Sequence, residues 1–154
     1  MSGPAERLAA LGLTLPTVTP PVAAYVPALR TGPYVYVSGQ VPVTDGALAG
    51  TGKVGAEVST EEAAGMARTC ALNALAAAAS VAGGLDRIRR IVKVVGFVAS
   101  APGFTVQPQV VNGASELLIE VFGEDGRHAR SAVGVAELPL NAPVEVELIA
   151  EVRD

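Results

Sequence analysis

The chain has 154 residues, half of them apolar, 17% charged, and a formal net charge of -4. That length admits one domain with a real core, and that apolar content excludes a mainly disordered chain. The acidic balance, the absence of tryptophan and the 4% aromatic content argue against a nucleic-acid surface, which needs clustered basic groups and stacking rings.

Residues 1–19 read as an arm: a short helical stretch, AERLAALGL, then the turn-rich TLPTVTPP. There is no basic leader and no long apolar run, so no signal peptide is read and the cytoplasm is the expected compartment. Two extended segments follow, AAYVPALR and YVYVSGQVP; the second sets Tyr34, Tyr36 and Ser38 against Val35, Val37 and Gly39. TDGALAGTGKVGAE reads as a glycine-rich loop without the strand–helix context of a phosphate loop.

Ser59 with Glu62 three residues on is a capping-box signature. It opens a helix of about six turns that stops at Gly83 and Gly84. Thr69 to Leu85 carries no charge, yet Asn73, Ser80 and the weak lipophilicity of alanine favour a buried helix over a membrane span. Cys70, the only cysteine, lies inside it; an internal disulfide is impossible and a packing role is expected. IRRIVKVVGFVA is β-branched and strand-like, with Arg87, Arg89, Arg90 and Lys93 as its exposed positions and lead-in. A second helix is predicted from near Pro108 to Gly123, with Val110, Val111, Ala114, Leu117, Leu118, Val121 and Phe122 on one face. Two further strands, Ala129 to Glu137 and Val144 to Arg153, complete a β-β-α-β-α-β-β order. This is an α+β sandwich: two long helices cover one face of a mostly antiparallel sheet. The other face must meet water or another subunit, and with so many alanines and valines in the chain a second subunit is expected.

Arg130 opens the penultimate strand, with no acidic residue until Glu137. Burying an unpaired guanidinium is costly, because it cannot shed its proton. It therefore snorkels to water, pairs with a carboxylate such as Glu145, Glu147 or Glu151, or awaits an anionic ligand. Read from the residues alone, Glu145 is an exposed strand position and Asn112 a helix-surface amide, while Ser38 is either a turn serine or a donor to a substrate. Tyr25 and Tyr34 are packing side chains with their hydroxyls at a rim. His128, the sole histidine, lies near Ser131 without an identifiable orienting group, so it reads as a turn residue or rim contact rather than a catalytic base. No metal site is supported.

YVYVSGQVPV, VVNGASELL and ARSAVGVAELPLNAPVEVELIAEV together resemble the RidA/YjgF family, in order and spacing from about Tyr25 to Val152. The resemblance implies a chorismate-mutase-like fold, a homotrimer with pockets between subunits, and cofactor-free hydrolysis of reactive enamine or imine acids to 2-oxo acids and ammonia. It makes Arg130 the carboxylate holder and Glu145 the residue at the reacting water, with Tyr25, Ser38, Asn112 and Ala132 lining the pocket. Four features depart from the pattern of the short family members. Ala23 and Ala24 stand where Gly-Pro is usual, Ala132 where cysteine is frequent, and His128 is not part of the pattern. The N-terminal arm and the loop before the first long helix are also longer, as in a longer branch of the family. A non-catalytic binder of small carboxylic acids and an endoribonuclease are the rival readings. If the last two strands form a hairpin, Arg130 lies opposite Glu151, and Glu145 is roughly 20 Å away along the strands. One pocket then needs both residues from different chains.

Overall fold

The computed structural model describes residues 2–21 and 23–154. Helix α1 (Pro4–Ala10) leads into a long connection, and strands β1 (Ala28–Thr31) and β2 (Tyr34–Gln40) follow. After β3 (Val43–Thr44) and β4 (Ala47–Leu48) come helix α2 (Thr60–Ala82), strand β5 (Ile88–Ala99), helix α3 (Gln107–Phe122), and strands β6 (Ala129–Val135) and β7 (Val144–Val152). Among the described residues, no helix is long and apolar enough to cross a membrane.

Local chemistry accounts for the helix ends. Ser59 caps α2 by accepting the Glu62 amide at 3.1 Å, and Gly83 ends it in the left-handed conformation at φ 91°, where a Cβ would be strained. The two long helices meet at Gly113 of α3, whose missing side chain lets the α2 backbone at Ala64 come close. Both helices lie on one face of the sheet, and their apolar residues form one core with Val35, Val37, Val94, Val98 and the even-numbered residues of β7. Cys70 is buried there, as expected of a packing thiol, and burial pushes its pKa well up.

The large sheet runs β1-β2-β7-β5-β6. Three of its pairings are antiparallel; β5 and β6 are parallel. The fold is thus the expected α+β sandwich, with three corrections. First, β6 and β7 do not form a hairpin. The chain leaves β6 at one edge, turns through Leu140 (φ 61°) and Asn141 (φ 58°), and re-enters as β7 on the far side of β5. Arg130 is therefore level with Val94 of β5, not with Glu151, which pairs with Tyr34 and Arg90. Second, the segment from Ala23 becomes strand only at Ala28, after Pro27, which lacks the N–H a ladder needs. Third, the glycine-rich loop holds a tiny hairpin, β3–β4, whose Asp45-Gly46 turn has φ 51° and 81°, the positive values its tight turn requires.

Candidate active site

The sheet has two chemically distinct faces. In β7, Val144, Val146, Leu148, Ala150 and Val152 are buried under the helices, while Glu145, Glu147, Ile149 and Glu151 are half-exposed on the opposite face. The period-2 alternation of a strand dictates this split.

Arg130 lies on the helix side. Its Nη1 donates to Asn112 Oδ1 at 2.8 Å and to Ser115 Oγ at 3.2 Å, and its Nη2 reaches the Pro108 carbonyl at 3.5 Å. All three partners belong to α3 and all are neutral. Among the described residues Arg130 forms no ion pair: Glu151 is taken by Arg89 at 3.4 Å, and Glu137 by Lys53 at 3.1 Å. The expected alternatives thus narrow to a charge left unbalanced by the protein. Ala132, two residues along, shares Arg130's side of the strand and packs against the core.

His128 shares that side too, but it does not meet Ser131, which is exposed. Its Nδ1 stands 2.6 Å from the Gly126 carbonyl and its Nε2 2.9 Å from Ser115 Oγ. Sequence reading missed this orienting carbonyl and the serine on α3. Spacing held the signal: Asn112 and Ser115 are three apart on a helix, and His128, just before β6, is two from Arg130 in extended chain, so each pair shares a face. Burial holds the imidazole below its ordinary pKa; the Gly126 bond opposes that shift and the Arg130 charge adds to it.

Glu145 lies on the other face, beside Phe97 of β5 and over Gly39, where a Cβ would overlap its carboxylate. Burial pushes its pKa up, and the neighbouring Glu147 charge pushes the same way. Ser38, next to Gly39, donates its hydroxyl to the Val26 carbonyl at 2.6 Å and its amide to Pro27 at 2.9 Å. It thereby tethers the bend that carries the exposed Tyr25.

The predicted residues thus fall into two groups. Arg130, Asn112 and Ala132 gather at the β6 edge, while Glu145, Ser38 and the Tyr25 bend gather around β7 and the end of β2. Arg130 and Glu145 are two strands and three residues apart, roughly 14 Å between Cα atoms, and point to opposite faces.

This fold defines a class of small α+β proteins. Residues 5–152 match the family described as "YjgF/chorismate mutase-like, putative endoribonuclease", and the chain belongs to that family. It is 44% identical to Protein TCP17 of Trypanosoma cruzi over 97% of this chain and 94% of that protein. It is 47% identical to the Agrobacterium tumefaciens protein Atu1372, of unknown function, whose crystal structure matches with a TM-score of 0.88 over 98% of this chain and 92% of that one. A more distant match, 26% identical with a TM-score of 0.60 over 88% and 92% of the two chains, is E. coli TdcF with bound serine.

Proposed function

We propose that the protein hydrolyses reactive 2-imino and enamine acids to 2-oxo acids and ammonia, without a cofactor, at sites shared between neighbouring subunits of a homotrimer. The observation that carries this reading is Arg130. A guanidinium held by three neutral acceptors keeps its full charge for a ligand, and its planar donors suit a carboxylate bidentately. The serine bound by TdcF is a small molecule carrying such a carboxylate.

Once the imine nitrogen is protonated, its carbon is electrophilic, and the main need is a positioned water. Glu145 of the adjacent subunit supplies that. Its carboxylate orients the water and takes a proton as the C–O bond forms. It returns that proton to nitrogen, and then accepts the remaining hydroxyl proton as the C=O bond forms, the C–N bond breaks and ammonia leaves. Burial raises the pKa of Glu145, which makes it a better base than an ordinary carboxylate. Ser38 and Asn112 flank the ligand, Tyr25 walls the pocket and Ala132 sets its width.

The two groups of residues support the shared site: opposite faces of one sheet cannot line one pocket, but the β6 edge of one chain set against the open face of its neighbour can. The face away from the helices carries exposed Leu29, Tyr34, Tyr36 and Val133, an apolar surface suited to a partner subunit. The endoribonuclease in the family description is the competing activity; the acidic charge and a sole histidine with both ring nitrogens engaged weigh against it.

The test is hydrolysis of imino acids made in situ by an amino-acid oxidase, small and bulky side by side. Acceleration by the wild type that vanishes in Arg130→Ala and Glu145→Gln supports the proposal. No acceleration with any imine refutes the deaminase reading, and RNA cleavage lost in Arg130→Ala would replace it.

A further inference from the structure

The hydrogen bonds behind Arg130 have a fixed direction. The Gly126 carbonyl can only accept, so His128 Nδ1 carries the proton, and Nε2 of the neutral ring is an acceptor. Ser115 must therefore give its hydroxyl proton to Nε2, and its oxygen lone pairs are left for Arg130, which can only donate. The result is a one-way chain, Arg130 to Ser115 to His128 to the Gly126 carbonyl, with links of 3.2, 2.9 and 2.6 Å. Asn112 takes the second Nη1 proton at 2.8 Å. The whole Nη1 corner is thus consumed by protein. The Nε–H has no partner among the described residues, and it points the same way as one N–H of Nη2, whose one bond is a long one to the Pro108 carbonyl at 3.5 Å. That edge is the less engaged side of the guanidinium and the one with donors left for a ligand.

The backbone around the relay is tightly fitted. Gly126 is buried with no room for a side chain, because a Cβ there would meet the Leu118 carbonyl of α3. The carbonyl that orients His128 is therefore held against the same helix that carries Ser115 and Asn112. Ser115 and His128 are both half-buried, and neither is accounted for by the core or by the residues that would touch a substrate.

We propose that Ser115 and His128 are positioning residues: their relay clamps the Nη1 corner of Arg130 and presents its Nε/Nη2 edge to the ligand carboxylate. This rests on the reading of Arg130 as a carboxylate site and adds the reason for its orientation. Without the relay the guanidinium rotates among its rotamers, and the bidentate fork is formed only part of the time.

The test measures pyruvate affinity by calorimetry for the wild type and for Arg130→Ala, Ser115→Ala, Ser115→Thr, His128→Phe and His128→Gln, each checked for folding by its melting curve. Loss of a hydrogen bond to a charged group weakens binding by about tenfold or more, so Ser115→Ala and His128→Phe should each raise Kd roughly tenfold. Ser115→Thr keeps the hydroxyl and His128→Gln keeps an acceptor near the Nε2 position, so both should stay within about threefold of wild type. The Arg130 Nε–H resonance, sharp in the wild type, should broaden in Ser115→Ala and His128→Phe and recover in the conservative pair. A purely structural role would show no such rescue pattern. Wild-type affinity in Ser115→Ala and His128→Phe, with binding abolished in Arg130→Ala, overturns the relay alone. Wild-type affinity in Arg130→Ala overturns the carboxylate reading beneath it. Covalent labelling of Ser115 by a fluorophosphonate would also overturn the proposal, by making Ser115 a nucleophile.

Discussion

The Glu145 carboxylate occupies the space that a side chain at Gly39 would fill. Gly39 lies in the irregular stretch between Val37 and Gln40, where the β2–β7 register shifts, and its φ is not positive, so a methyl there costs the backbone little. The obstacle is the end of a flexible side chain, which can rotate away. Gly39→Ala should therefore leave the melting temperature nearly unchanged while imine hydrolysis falls as far as in Glu145→Gln. Parallel melting curves and rates check this; a variant that keeps its rate would show that the pose of Glu145 does not matter.

Glu145 also makes a prediction about pH. Its folded pKa is raised by burial and by Glu147, so the folded state holds the proton more tightly than the unfolded chain does. Below the unfolded carboxylate pKa both states are protonated and nothing is lost. As pH rises from there through the folded pKa, the unfolded state ionises first and stability falls. Glu145→Gln should then melt higher than wild type at pH 7.5, by roughly 1–3 °C for a chain of this size, with the difference vanishing near pH 4. A gain that persists at pH 4 would assign the effect to packing instead. Activity should be lost at both values, a stability cost retained for function.

The helix pair offers a test of how α3 is set in depth. A Cβ at Gly113 would collide with the Ala64 backbone of α2, and backbone, unlike a side chain, cannot swing aside. Gly113→Ala should destabilise by about 1–3 kcal/mol, despite alanine's better helix propensity. Because Asn112 flanks it and Ser115 lies on the same helix, the shift should also misplace the acceptors of Arg130. Urea titration together with pyruvate affinity measures both; a stabilised variant would refute the close packing.

Most of the fold was legible because its signals are local. The Ser59–Glu62 box, the glycines after α2 and α3, and the alternation of Tyr34 to Gly39 and of Val144 to Val152 each depend on neighbours in the chain. Strand order does not. A strand such as Ala129 to Val135 can pair with either side, and the eight residues before β7 suit a hairpin as well as a passage across β5. That ambiguity produced the mistaken pairing of Arg130 with Glu151. The separation of Arg130 from Glu145 survived the error, since the crossing sends them to opposite faces. The partner of His128 was hidden for the same reason: Ser115 is thirteen residues away, and only the packing of α3 on β6 joins them.

The two half-sites predict a complementation result that no single-chain site can give. If each pocket takes Arg130 from one subunit and Glu145 from its neighbour, homotrimers of Arg130→Ala or of Glu145→Gln alone have no complete pocket. In trimers co-folded from an equal mixture, a pocket is intact when the subunit giving the arginine is the Glu145→Gln chain and its neighbour is the Arg130→Ala chain. With random assembly around a three-fold axis this holds for about a quarter of pockets. Imine hydrolysis should therefore return to roughly that fraction of wild type on co-folding, and not on mixing preformed proteins before their subunits exchange. A double variant, Arg130→Ala with Glu145→Gln in one chain, co-folded with wild type, keeps intact pockets only between adjacent wild-type subunits and controls for dilution. Continued inactivity of the co-folded single variants, with trimers present by light scattering, would place the whole site within one chain. The distance and the opposed faces of Arg130 and Glu145 would then require a large movement of the β6 edge on ligand binding.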